Sequence, residues 1–371
     1  MSMTCLHRTH PPCATFILYP KLNYVLPHFM HYNILMTTGK KKSWYERVPK
    51  VELHLHLTGA IPHETLWELI KKYVGDPSVP DIAALEEKFR YRDFMHFLET
   101  WLWKNQFLSE YEDFTFLSEA VARELTDQNI LYAEVFFSSS RFLNKDLTMS
   151  RLAEAVRAGL SKVPEIDINL IIDLVRDNGL ENAARILPEI VESKEFGIIG
   201  IGLGGNEKQY PPELFTEVYE TARQAGLHTT AHAGEAAGPE SIWSAINNLK
   251  VERIGHGTWA IEDEKLVDYL AEHSIPLELC PISNVKTGVV ESIKKHPVRY
   301  YYDRNIPVSI NTDDPKMFGN SLAEEYEILA NDLGFIRDEI RTMLFNAVRT
   351  SFLSDDKKRE LAGRLINHPD W

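Results

Sequence analysis

A chain of 371 residues with 44% apolar and 25% charged residues can bury a large core and stay in water, so one big α/β domain or two ordinary ones fit its length. Its net charge of −14 offers no general attraction to phosphate backbones or anionic lipid, and no apolar run is long enough to cross a bilayer, so neither nucleic acid nor membrane is an expected partner. Its cysteines are Cys5, Cys13 and Cys280, two of them in an atypical N-terminal stretch; no disulfide framework is implied, and a reducing, cytoplasmic setting is expected.

Residues 1–44 differ from the rest. No Asp or Glu precedes Glu46, while His, Pro, Tyr and Lys are frequent. The stretch lacks the apolar centre and small-residue cleavage site of a targeting peptide. It reads as a poorly ordered extension, with Met36 a candidate start, ahead of a single domain over 45–371.

The first strand is expected at Val51-Glu52-Leu53-His54-Leu55-His56-Leu57. Side chains alternate across a strand, so Glu52, His54 and His56 share one face and the leucines the other. A helix follows over Pro62–Tyr73. Phe94, Phe97, Leu98 and Trp101 recur at helical spacing in an aromatic stretch that also suits a ligand pocket. Helices are expected at Tyr111–Gln128, Leu147–Leu160, Asn182–Val191, Pro211–Ala225, Pro239–Asn247, Asp263–Glu272 and Val298–Arg304. Strands are expected near 132, 170, 200, 230, 254, 278 and 309. Strand–helix alternation implies parallel strands joined by helical crossovers. Eight such units indicate a (β/α)8 TIM barrel with extra helices. A doubly wound open sheet is the alternative, but the glycines at 200–205 lack its phosphate fingerprint.

Barrel chemistry sits at the C-terminal ends of the strands. There the sequence places His54 and His56, then His232 with Glu235, then His256, then Asp313 and Asp314. Imidazoles with one carboxylate suit a divalent ion, most naturally zinc. Either His232 or His256 completes a set with His54, His56 and Asp313, leaving the other histidine and two carboxylates for proton transfer.

Five segments together resemble the adenosine deaminase family of metal-dependent amidohydrolases. They are Glu52–Leu57 with Gly59-Ala60, His232-Ala233-Gly234-Glu235, Arg253–Gly257, Cys280–Asn284 and Ser309–Pro315. The resemblance implies one zinc per chain held by His54, His56, His232 and Asp313. It implies that His256 orients the attacking water and is placed to deprotonate it, and that Glu235 protonates purine N1. It implies that Asp314 hydrogen-bonds N7 and the Gly205 amide reaches N3, with His56, Thr58, Gly205 and Asp314 on the substrate side. Water then replaces the 6-amino group and ammonia leaves. The expected partner is a purine nucleoside, and the expected assembly a monomer or homodimer.

The sequence departs from this family at the sugar. Thr58 stands where an aspartate usually holds the ribose 5′-hydroxyl, and Phe136-Phe137 replaces a more polar stretch after Glu134. Adenosine or deoxyadenosine is expected on family frequency. The alternative is a 5′-modified adenine nucleoside of the 6-aminodeoxyfutalosine, 5′-methylthioadenosine or S-adenosylhomocysteine type. A two-metal hydrolase is disfavoured because strand four ends without a lysine before Lys208, and a dead scaffold because every ligand and proton carrier is present. Arg176 is expected to brace loops, Cys280 to pack, and Glu278 to act as either a partner of the metal cluster or an ion-pair member.

Overall fold

Eight parallel strands, each hydrogen-bonded to the next in chain order, form the centre of the computed structural model, which describes residues 42–371 apart from 74, 92, 93, 144 and 145. They are β1 (Lys50–His56), β2 (Ile130–Phe137), β3 (Asp167–Val175), β4 (Ile198–Gly204), β5 (His228–Ala233), β6 (Arg253–His256), β7 (Leu277–Leu279) and β8 (Val308–Ile310). The ring closes just past β8: His56 N–H donates to Asp313 O (2.8 Å) and Asp313 N–H to His54 O (3.0 Å). This is the expected TIM barrel, and Lys42–Trp371 is one unit. The expectation for residues 1–44 falls mostly outside the described residues. Among the described residues, Ser43 caps the Trp44–Arg47 helix, and its side chain accepts from Glu46 N–H.

The alternation of β1 positions the site. Val51 and Leu53 pack outward on Ala347, Val348, Leu361 and Leu365, so Glu52, His54 and His56 are turned inward. The outer layer is built from amphipathic helices. On Arg337–Thr350, Ile340, Met343, Leu344, Ala347 and Val348 fall on one stripe and are buried, with the helix lying against β1 and β8.

Several boundaries shift for local reasons. Pro62 and Tyr73 cap the His63–Lys72 helix rather than belonging to it. The segment after Pro211 begins as a tight turn, Pro212–Phe215, before the Thr216–Gln224 helix. The helices Pro281–Lys286, Pro315–Phe318, Leu322–Leu333 and Arg337–Thr350 were not among the expected elements. No helix among the described residues is long and apolar enough to cross a membrane.

Candidate active site

Four ligand atoms converge at the mouth of the barrel. His232 Nε2 lies 3.1 Å from His54 Nε2 and 3.2 Å from His56 Nε2. Asp313 Oδ1 lies 3.2 Å from His56 Nε2 and 3.7 Å from His54 Nε2. Donors about 2.0–2.1 Å from a tetrahedral zinc stand about 3.3 Å apart, so this set fits the ion. His54 and His256 also come together with Cys280. Burial pushes that thiol well up, which suits the packing role and not a thiolate ligand.

The electrostatics agree with a cation site. Burial lowers His54, and it holds His232 well below the usual imidazole range with the help of its imidazole neighbours. Neutral rings are the form that ligates. Burial also opposes charge on His56, but its hydrogen bond to Asp313 and the nearby Asp314, Asp313 and Asp173 raise it to about 9. Asp313 adopts a left-handed backbone (φ 68°), uncommon without a glycine, as does His256 (φ 62°).

Behind the ligands lies a buried charge chain. Glu278 Oε2 accepts from His54 Nδ1 (2.8 Å) and its Oε1 from Arg253 Nε (2.5 Å). Arg253 Nη2 meets Glu134 Oε2 at 2.6 Å. Glu134 Oε1 accepts from Tyr132 Oη (2.8 Å) and Phe352 N–H (2.6 Å). Glu278 therefore takes both roles left open by the sequence. A hydrogen on His54 Nδ1 leaves Nε2 with its lone pair toward the cluster.

His256 and Glu235 come from neighbouring strand ends, with His256 Nε2 3.7 Å from Glu235 Oε2. A relay sets the tautomer of His256. Val298 N–H can only donate, so His296 Nδ1 accepts (3.2 Å) and His296 Nε2 carries the hydrogen. That hydrogen goes to Asn284 Oδ1 (3.2 Å), and the Asn284 amide donates to His256 Nδ1 (3.1 Å). His256 Nε2 is then the protonated nitrogen, buried and without a hydrogen-bond partner among the described residues, with Glu235 Oε2 the carboxylate near it. Burial keeps His296 neutral, its value lowered to about 3.

Glu235 is held by a carboxylate that the sequence reading gave no role. Glu207 accepts backbone N–H bonds from Gly234 (2.5 Å), Glu235 (3.2 Å), Ala236 (2.8 Å) and Ala237 (2.9 Å). Burial raises the Glu235 carboxyl, which favours its protonated form. Asp314 is raised to about 7 by burial and by Asp313 beside it. Gly59 makes room for Asp314, since a Cβ there would lie 1.6 Å from Asp314 Oδ1.

Thr58 is buried in the Leu57–Ala60 turn directly after β1. Gly205 follows β4 with φ 105°, and a Cβ there would lie 2.1 Å from Asp177 Oδ2. The two phenylalanines that end β2 face opposite ways. Phe136 packs against the imidazoles, 4.6 Å from His54 and 5.2 Å from His56 by ring centroids, because Gly202 leaves it that space. Phe137 faces outward to Phe114 and Phe142. Arg176 is fully buried and braces a loop against the end of β5, donating to Tyr210 O (2.8 Å) and to His232 O. His228 sits at the start of β5, far along the strand from the mouth, paired with Glu252 (3.0 Å).

The sequence pattern described as adenosine deaminase matches residues 49–368. An aminodeoxyfutalosine deaminase from Streptomyces avermitilis is 35% identical over 87% of this chain and 92% of its own length. An adenine deaminase from Crocosphaera subtropica is 35% identical over 86% of this chain and 99% of its own. The crystal structure of an adenine deaminase from Arthrobacter aurescens superposes with a TM-score of 0.82 at 30% identity, covering 86% of this chain and 98% of that one.

Proposed function

This chain belongs to the adenosine deaminase family, a hydrolytic deaminase of adenine or modified adenine nucleosides, and from that premise we propose that its substrate is an adenine nucleoside whose 5′ position is modified. The observation that carries this reading is Thr58, a short, neutral, buried side chain where the family places a carboxylate for the 5′-hydroxyl. Free adenine is the second reading, favoured by the relatives from Crocosphaera and Arthrobacter. Adenosine, expected on family frequency, ranks behind both, because these relatives are named for adenine or aminodeoxyfutalosine.

In this reading His54, His56, His232 and Asp313 hold one zinc ion. Bound there, zinc supplies the Lewis acidity that makes water nucleophilic at neutral pH. Glu235, whose carboxyl burial raises toward its protonated form, gives its proton to purine N1 and makes C6 electron-poor. His256 Nε2–H donates to the attacking oxygen and fixes its direction. The Asn284–His296 relay thus favours orientation over proton abstraction as the role of His256. Glu235, now a carboxylate, takes one proton from the added oxygen and passes it to the amine, and as ammonia leaves the second proton of that oxygen returns to Glu235 and the 6-oxo group forms. Asp314, raised by burial and by Asp313 beside it, donates to N7 in its protonated form, and the Gly205 amide donates to N3. The test is the ranking of kcat/KM for adenine, adenosine, 5′-methylthioadenosine, S-adenosylhomocysteine and 6-aminodeoxyfutalosine. A 5′-modified nucleoside at the head supports the reading, and adenosine at the head refutes it.

A further inference from the structure

Two cations share one tryptophan over the mouth of the barrel. Lys104 Nζ lies 4.9 Å from the centroid of the Trp101 ring, and the Arg141 guanidinium lies 5.3 Å from it. They arrive from different parts of the chain. Trp101 and Lys104 belong to the Phe94–Asn105 helix, whose Phe97 and Trp101 pack on Met317 and Phe318, in the short helix after Asp314. Arg141 ends the Ser139–Arg141 turn that follows β2, and Ser138 before it donates to Asp173 Oδ2 (2.9 Å). The helix is thus anchored beyond β8 and Arg141 beyond β2. Between those two strands in the ring lies β1, whose end carries Thr58.

Neither cation is paired with a carboxylate among the described residues. Among the described residues no carboxylate oxygen lies within 4.0 Å of Lys104 Nζ or of the Arg141 guanidinium; Lys104 Nζ has only Asn105 Oδ1 at 3.2 Å, and Arg141 Nε is buried with no hydrogen-bond partner. Lys104 is 1% exposed. Burial lowers its ammonium to about 7, with Asp314 the one charge that raises it again. A buried lysine with no paired carboxylate is costly to keep unless something arrives to pair with it. Asp173 and Asp177 act on Arg141 from the barrel side without pairing with it. An ammonium and a guanidinium gathered over one tryptophan ring suit a flat or compact anion, which takes charge-assisted bonds from both.

We propose that Trp101, Lys104 and Arg141 form a subsite for an anionic group, carboxylate or phosphate, on the 5′ end of the substrate nucleoside. This rests on the reading that the barrel mouth binds an adenine nucleoside. It adds that the substrate is negatively charged at the end remote from the reacting amine. Thr58 fits the same picture, because an aspartate there would repel such a group.

Calorimetric binding to the zinc-loaded protein tests this without turnover. The probes are inosine, inosine 5′-monophosphate and the inosine 5′-carboxylic acid, at low salt. At least one anion is expected to bind tenfold or more tightly than inosine, and which one identifies the source. In Lys104→Met and Arg141→Met that preference is expected to fall to threefold or less. Equal affinity for all three probes in the wild-type protein overturns the subsite, as does a preference that neither variant moves. If the neutral and charged nucleosides all fail to bind, the nucleoside reading fails with it. If adenine nucleosides are deaminated but charge has no effect, the subsite alone fails.

Discussion

Replacing Glu278 with glutamine removes one charge and keeps the shape of a buried side chain that touches no substrate. Its carboxylate accepts from His54 Nδ1 at 2.8 Å and from Arg253 Nε at 2.5 Å, both fully buried. A glutamine offers one oxygen to these two donors and turns an N–H₂ toward the other. Two charge-assisted bonds are thus replaced by at most one neutral bond, a loss of about 2–4 kcal/mol of stability. Arg253 keeps Glu134 at 2.6 Å, so no buried charge is left alone and the fold is expected to survive. Without an anion behind it, His54 is a weaker and less firmly aimed ligand, and zinc affinity is expected to fall about 10–100-fold. The assay is competition with a chromogenic chelator for zinc, paired with urea denaturation of the metal-free protein. The sign of the pH dependence is fixed as well. The folded protein holds Glu278 below its ordinary value of 4.5 despite burial, through the charge of Arg253 and the His54 hydrogen bond. Its contribution is therefore present above that value and is lost as pH falls below it, so wild-type and variant stabilities converge in acid. Zinc affinity within twofold of wild type would refute the idea that this chain of charges supports the metal site.

Other changes separate the remaining roles. Glu235→Gln is expected to keep one zinc per chain and to lose about 10²–10⁴-fold in kcat, whereas Asp313→Ala is expected to lose both metal and turnover; metal analysis beside a rate assay distinguishes them. Asn284→Asp presents an acceptor to His256 Nδ1 in place of the amide donor at 3.1 Å, moves the hydrogen from Nε2 to Nδ1, and is expected to lower kcat at least about 100-fold with zinc retained. Histidine ¹⁵N shifts report that tautomer change directly. Lys104 is lowered from 10.5 to about 7 by burial, so the unfolded chain binds the extra proton between those values and wild-type stability rises with pH across that window. Lys104→Met is therefore expected to be more stable than wild type near pH 6, by up to about 5 kcal/mol, with the gap closing toward pH 10 in denaturant titrations.

The barrel was legible because each strand carries its own local signature. Strand period, flanking glycines and the polar residue at each strand end lie within a few positions of one another. The His54–His56 pair declared its face by alternation alone, and Asp313 and Asp314 followed a strand of recognisable type. What stayed hidden depends on partners far apart in the chain. His54 and Glu278 are 224 residues apart, and Glu235 is held by Glu207, 28 residues before it. Nothing in a one-dimensional pattern links Val298, His296, Asn284 and His256, since the relay passes through side-chain amide and ring nitrogens. The phenylalanines after Glu134 were half legible for a related reason. Their polarity contrast with the family was visible, but the gap at Gly202 that draws Phe136 down beside the imidazoles was not. An acid just beyond a glycine-rich strand end, as at Glu207, is the one missed residue whose position carried a usable signal.

The most direct test of the central claim is zinc titration of the metal-free protein while C6 deamination of an adenine-bearing substrate is followed by ultraviolet absorbance and ammonia release. Activity is predicted to rise linearly and to saturate at one zinc per chain. Full activity in metal-free protein, or no 6-oxo product from adenine, adenosine or any 5′-modified nucleoside at full zinc occupancy, would contradict it.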